Sequence, residues 1–274
     1  MYTYVPKENI TVTYGSDSSQ RIPFITQELL VHDSYGYLKK RKKMLRTFPD
    51  TVSYIAEYRY AFEEKGETYD FMRTSQQLSP VTQIHSYRSD RQSQEGTVVR
   101  NHYGLISALP YNAVASLCKQ AVVSSVESGN SQYTLEERVR HLKFDDYGNL
   151  VYLIKDSLIH NVYLWSYKGQ YPIAHIEGAT YDEVQTALGN VRPELLSGQD
   201  YPDEQLLAQL HTKLPSAQVY IFLYKPFTGM IRKTAPDGQV IFFSYDTHNR
   251  LEEVYRLGEN GEKEIIEHYR YSFK

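Results

Sequence analysis

One heptad occurs three times in this chain. "HDSYGYL" stands at 32–38, "FDDYGNL" at 144–150 and "YDTHNRL" at 245–251, and all three fit x-Asp-x-x-(Gly/Asn)-x-Leu. The spacing constrains the backbone directly. A carboxylate at the first position of a turn accepts hydrogen bonds from the amides just ahead of it. Three residues later the chain needs a positive φ, which Gly adopts freely and Asn tolerates. Asp33, Asp145 and Asp246 are therefore expected to open turns, with Gly36, Gly148 and Asn249 at the left-handed positions. Leu38, Leu150 and Leu251 are expected to follow a bulge and start return strands that face the core.

The segments between these turns read as strands. "NITVTYG" (9–15) alternates with period two, and "VSYIAEYRYAF" (52–62) puts Tyr54, Tyr58 and Tyr60 on one face. "VYLIKDSLIHNVYLWSY" (151–167) and "AQVYIFLYKPF" (217–227) are β-branched and aromatic runs between turn residues. Pro236-Asp237-Gly238 and Asn260-Gly261 are hairpin signals. Residues 112–127 fit either helix or strand, and the strand reading is preferred. Tyr supplies 26 residues against 10 Phe and 1 Trp, and it suits half-buried strands because its ring packs while its hydroxyl stays wet or bonded. Each turn is followed by an aromatic strand: "EYRYAF" (57–62), "YLWSY" (163–167) and "HYRYSF" (268–273). The repeating unit is thus a hairpin and a half, which cannot bury its own face, so copies must pair edge to edge.

Two segments break the pattern. In "TYDEVQTALGN" (180–190), Thr180 and Glu183 form a capping-box pair, Gly189 sits at the C-terminal cap, and Tyr181, Val184 and Leu188 share a face. In "YPDEQLLAQLHTKLP" (201–215), Pro202 falls in the first helical turn with Asp203 and Glu204 beside it, and Leu206, Leu207, Leu210 and Leu214 form an apolar stripe. These predict a two-helix insertion over about 180–214 that packs on a sheet.

Composition narrows the function classes. A hydrophobic fraction of 41% with 23% charged residues fits a folded chain, and a net charge of −3 creates no general attraction for nucleic acid. Cys118 is alone, so it supplies neither an internal disulfide nor a thiolate cluster, and nothing local pairs it with His102 or His141. The His residues lack metal-ligand spacing, no glycine-rich phosphate loop occurs, and no cofactor is expected. Asp145/Asp146 and Glu252/Glu253 read as turn and strand residues rather than an acid–base pair. "KKRKK" (39–43) follows a turn and alternates faces along a strand. Tyr163, Trp165 and Tyr167 are the candidate aromatic ligand surface; the competing reading, cross-strand packing, is favoured. No apolar run is long enough to span a membrane. The N-terminus lacks a signal segment and opens inside a strand pattern, so the chain is expected to be the tail of a longer protein, with a cytoplasmic protein as the alternative.

The heptads, the Tyr-x-Tyr strand ends and their spacing resemble the bacterial Rhs proteins, built from YD repeats. The stretch from "FDDYGNLVYLIKDSLIHNVYLWSYKGQ" through "PDGQVIFFSYDTHNRLEEV" is similar to the C-terminal repeat region of large Rhs-type proteins; the first 130 residues match more loosely, through "HDSYGYL" and "QQLSPVTQIHSY". The resemblance implies a mainly β fold: antiparallel YD-repeat hairpins forming a coiled, Tyr-rich sheet. In Rhs and Tc toxins and in teneurins such repeats close a hollow shell, and three units would make only a patch or short arc of one. The Rhs autocleavage motif is not matched by "APDGQV" (235–240), and delivery of a toxin is not part of the expectation. The expected organisation is a divergent β-rich YD-like region over 1–130 and a YD-repeat region over 131–274 with the helical insertion at 180–214, with one continuous domain as the alternative. The expected function is a non-enzymatic scaffold of a cell-surface or secreted protein, whose open edges pair with further repeats or a partner protein. The alternative is a module that binds or hydrolyses glycans.

Overall fold

The computed structural model describes residues 7–14, 23–47, 50–88, 95–108 and 118–271. The fold is mainly β with four short α-helices among the described residues; strands follow chain order and the described pairs are antiparallel. The chain divides into two compact units, residues 1–105 with 121–140, and residues 106–120 with 141–274.

The first unit contains β1 (Lys7–Tyr14), β2 (Pro23–His32), β3 (Leu38–Thr47), β4 (Asp50–Tyr60) and β5 (Val81–Arg88), with most of β6 (Gly96–Ala108), β7 (Cys118–Asn130) and β8 (Glu136–Phe144). Of the segment 112–127, residues 118–127 are strand and 112–117 lie outside the described residues. In β4, Ser53 and Ile55 are buried on one face, and Ile55 stands opposite the buried Tyr87 of β5. Tyr60 is buried whereas Tyr54 is 46% exposed, so the Tyr54/Tyr58/Tyr60 face changes environment along its length. A helix outside the expected insertion, α1 (Glu67–Thr74), links β4 to β5 and buries Met72 completely. Its Arg73 donates to the Glu64 carbonyl at 2.6 Å, tying the helix back to the preceding turn.

The second unit is an open meander of β9 (Leu150–Lys155), β10 (Ile159–Ser166), β11 (Tyr171–Glu177), β12 (Gln218–Lys225), β13 (Gly229–Thr234), β14 (Val240–Tyr245), β15 (Leu251–Leu257) and β16 (Lys263–His268). Period-two patterning sets its core. Val162 and Leu164 of β10 lie opposite Ile176 and Ala174 of β11, which lie opposite Val219 and Ile221 of β12, and all six are buried. Each fully buried Val, Ile or Leu stabilises the fold by about 1.5–3 kcal/mol.

The cover for this face comes from the segment between β11 and β12. It holds α2 (Tyr181–Ala187), a 3-10 stretch Pro193–Gly198, α3 (Glu204–Ala208) and α4 (Leu210–Lys213). The Thr180–Glu183 capping box forms, and Asn190 closes the helix end by donating to the Gln185 carbonyl at 2.9 Å, with Gly189 at φ +72°. The expected two helices are in fact three, plus the 3-10 stretch. Asp203 is not a first-turn residue but the N-cap of α3: its Oδ1 accepts from the Gln205 and Leu206 amides at 3.0 Å. The helix is interrupted at Gln209; Leu207, Leu210 and Leu214, spaced i, i+3 and i+7, are buried while Leu206 remains half-buried.

Bulges recur beside the aromatic residues. Register shifts occur at Arg59/Tyr60, Leu164/Trp165, Leu223/Tyr224 and Val254/Tyr255. Each bulge adds local right-handed twist and bends its strand.

Candidate functional site

The three heptads form one turn. In the first, the Asp33 amide donates to the Tyr37 carbonyl at 2.9 Å, the Gly36 amide donates to the Asp33 carbonyl at 3.1 Å, and Asp33 Oδ1 accepts from the Tyr35 and Tyr37 amides, both at 2.9 Å. The second repeats this with Asp145 Oδ1 accepting from Tyr147 and Asn149 at 2.9 and 2.8 Å, and the third with Asp246 Oδ1 accepting from His248 and Arg250 at 2.8 and 3.0 Å. The left-handed positions are Gly36 at φ +89°, Gly148 at +84° and Asn249 at +58°. The same backbone pattern occurs at 235–239 and 258–262, with Gly238 and Gly261 left-handed. There a side chain inside or just after the turn replaces the first-position Asp: Asp237 accepts from Gln239 and Glu262 accepts from Asn260. Asn260-Gly261 is therefore a three-residue loop with a bulge, not the two-residue hairpin its dipeptide suggests, because Asn260 keeps a negative φ.

The Leu of each heptad has a role that its apolar side chain does not announce. Leu38, Leu150 and Leu251 are half-buried rather than core residues. Their backbone carbonyls are the conspicuous groups. Tyr60 Oη donates to Leu38 O at 2.8 Å, Trp165 Nε1 to Leu150 O at 2.8 Å, and Tyr271 Oη to Leu251 O at 2.9 Å. In every repeat, then, an aromatic from later in the chain, in β4, in β10 or just after β16, clasps the carbonyl that leaves the turn. The sequence separations are 22, 15 and 20 residues, because different loops intervene, so no fixed period marks the bond. Tyr245 makes a related bond to Met230 O at 2.8 Å. Its ring lies where a side chain on Gly229 would be, since a Cβ there would sit 2.4 Å from the hydroxyl.

Identical turns sit in different surroundings. Asp145 is buried, and burial pushes its carboxyl up despite the bonds from Asn149 and Tyr147. The Arg250 amide, together with the Arg250 guanidinium and the His248 amide, lowers Asp246 to about 2. What covers Asp145 is the loop after β10. Asn149 Nδ2 donates to both Asp145 Oδ2 (3.0 Å) and Gly169 O (2.8 Å). A Cβ on Gly169 would lie 2.5 Å from the Tyr147 ring, which explains Gly there. Tyr167, Lys168 and Gly169 are all left-handed, at φ +53°, +57° and +73°. Tyr167 offsets this strain by burial and by its hydroxyl, which donates to Tyr224 O at 3.0 Å and accepts from Tyr224 N at 3.3 Å.

The candidate aromatic surface is largely used internally. Tyr167 is buried. Trp165 is half-buried, with its indole N–H spent on Leu150. Tyr163 stacks on His175 at 4.6 Å and 5°, and His175 stacks on Tyr220 at 5.9 Å and 13°. His175 accepts no charge readily: burial lowers it, and its Nε2 is 2.8 Å from Asn161 Oδ1. The basic run is spread over ion pairs. Lys39 pairs with Glu63, Lys40 with Glu57 at 2.8 Å, and Arg41 with Glu28 at 2.6 Å. Asp146 and Glu252 are exposed, and Glu253 pairs with Lys263, so the carboxylate pairs are dispersed. His102 Nε2 lies 3.1 Å from Glu127. The Cys118 side chain lies outside the described residues. Among the described residues no group of three or more His, Cys, Asp or Glu side chains is placed to hold a metal ion, and no helix is long and apolar enough to cross a membrane.

No family model matches the chain, and no curated protein matches it. Among solved structures it is similar to the Tc holotoxin pore of Photorhabdus luminescens, with 13% identity over 92% of this chain and a TM-score of 0.37. It is also similar to a TcdB2-TccC3 crystal structure, with 12% identity over 90% of this chain and a TM-score of 0.36. The chain spans about 12% of the length of each, and at these scores the likeness carries no argument about function.

Proposed function

We propose that this chain is a non-enzymatic scaffold, a stretch of YD-repeat sheet whose work is to extend and to be extended by neighbouring strands in a cell-surface or secreted protein. One observation carries the reading. The repeat-defining polar groups hold the repeat's own backbone: Oδ1 of each Asp accepts from its own turn amides, and each Leu carbonyl accepts from its aromatic clasp. Side chains built for chemistry converge on a common point, whereas these are spread over separate turns and hold a backbone path.

The repeat also says what its edge accepts. β4 and β10, which carry the clasping aromatics Tyr60 and Trp165, each receive an antiparallel strand, β5 and β11. β16, which leads to Tyr271, offers an unpaired edge among the described residues, with Ile265 and Ile266 both exposed. The glycan alternative draws less support. Rings stacked at 5° and 13° cover one another's faces, and a sugar needs a free ring face.

The test is to fuse a copy of residues 168–177, the loop and strand β11, after Lys274, and to follow amide hydrogen exchange in β16. Protection of β16 by at least about tenfold, the signature of new ladder bonds, is expected. Unchanged exchange would count against strand extension at this edge.

A further inference from the structure

Two features of the second unit remain unexplained by its own stability. The first is Phe227, at the tip between β12 and β13. It is 92% exposed and left-handed at φ +62°. The tip is a tight turn, Thr228 N donating to Lys225 O at 3.0 Å, with Pro226 in its second position. Gly is the residue that fits the third position after Pro without strain. A Phe here both strains the backbone and exposes a ring to water, and the fold returns nothing for it.

The second feature is a groove where β11 ends and β12 begins. Its floor is apolar, made by Ala179, Ala187 and Leu214, and Pro215 and Ala217 form a wall. Asp182 and Glu183 line its rim, and the single ammonium there, Lys213, is held 2.9 Å from the Ala187 carbonyl at the end of α2. The groove thus combines an apolar floor with two carboxylates against one anchored cation. The tip carries the complement: an apolar ring beside the exposed Lys225.

These two features lie at opposite ends of one strand. β12 runs from Gln218, beside the groove, to Lys225, beside the ring, a span of about 25 Å at ~3.3 Å per residue. A knob at one end and a complementary pocket at the other is the arrangement that joins copies head to tail without closing. We propose that the second unit self-associates in this way, with Phe227 of one copy seated in the α2–β12 groove of the next and Lys225 facing Asp182 and Glu183.

The experiment is sedimentation velocity over a rising concentration series on the full chain. The wild type should form species that grow past a dimer. Phe227→Gly, which removes the ring and the strained conformation together, should weaken association by at least about tenfold, the effect of losing a buried aromatic anchor, while melting no lower than wild type. Thr186→Arg, an exposed position lining the groove, should do the same by filling it with bulk and positive charge. Mixing the two variants supplies the decisive arm. Phe227→Gly keeps its groove and Thr186→Arg keeps its knob, so the mixture should give a one-to-one dimer and stop there. Three results would overturn the proposal: a wild type that stays monomeric throughout, variants that associate as the wild type does, or a mixture that gives no dimer. Binding of Phe227 to phosphatidylcholine–phosphatidylserine vesicles by a monomeric wild type would assign the tip to a lipid surface instead.

Discussion

The aromatic clasp makes one sharp prediction, because the same bond is made in two environments. Tyr60 is 6% exposed and Tyr271 is 47% exposed, yet their hydroxyls donate to Leu38 O and Leu251 O at nearly equal distances, 2.8 and 2.9 Å. Tyr→Phe removes only the hydroxyl. At Tyr60 the ring also packs against Tyr37 and Phe62, with centroids 5.2 and 6.0 Å away, and Phe retains that packing. The loss is therefore the hydrogen bond, net about 1 kcal/mol, plus part of the cost of a carbonyl that water reaches poorly, for a total of about 1–2 kcal/mol. At Tyr271 water replaces the donor, and the loss should be about 0.5 kcal/mol or less. Urea unfolding followed by far-UV circular dichroism measures both, and an unchanged m-value identifies the difference as stability. Amide exchange in β3 and β15 localises the effect to the clasped strand in each case. If Tyr60→Phe costs no more than Tyr271→Phe, the buried clasp contributes nothing beyond packing, and the hydroxyl-to-carbonyl bond is not what holds the repeat.

Other consequences are simpler. Gly148→Val places a β-branched residue at φ +84° and should cost about 1–2 kcal/mol or more, seen as a lower urea midpoint; a neutral change would contradict the turn geometry. The two turn aspartates should titrate in opposite directions in a carboxyl-carbon NMR titration. Asp246, depressed to about 2, favours the fold above the unfolded carboxyl value and loses that contribution as pH falls from about 4 to about 2. Asp145, raised by burial, takes up its proton in the folded state first, so its burial penalty is released as pH falls through its raised value; midpoints shifted to the same side would refute this. Tyr181 donates to Glu194 at 2.5 Å while Lys143 lies over its ring at 4.3 Å, joining α2 to the 3-10 stretch and β8. Tyr181→Phe leaves a largely buried carboxylate short of a donor and should lower stability by about 1–3 kcal/mol, with no loss expected if the hydroxyl is merely solvated.

The local part of the fold is legible in the residues alone. The Asp-x-x-Gly/Asn spacing dictates a turn because a short carboxylate reaches only the next few amides and few residues tolerate positive φ. Those forces act within five residues, so they are written in five residues. Period-two runs specify the strands for the same reason, and Thr180–Glu183 specifies the start of α2. Longer-range features follow from the assembled sheet. The aromatic clasp joins residues 15 to 22 apart across a pleated sheet, and nothing in the heptad names its partner. The leucines over 201–215 predict one continuous helix, whose buried face the fold keeps at Leu207, Leu210 and Leu214 while dividing the helix in two at Gln209. Tyr163, Trp165 and Tyr167 look alike in sequence, yet one is stacked, one spends its N–H on a carbonyl and one is buried in a left-handed loop. Burial and long-range hydrogen bonding depend on which strands become neighbours, and that is decided only when the ladders of the whole sheet have formed.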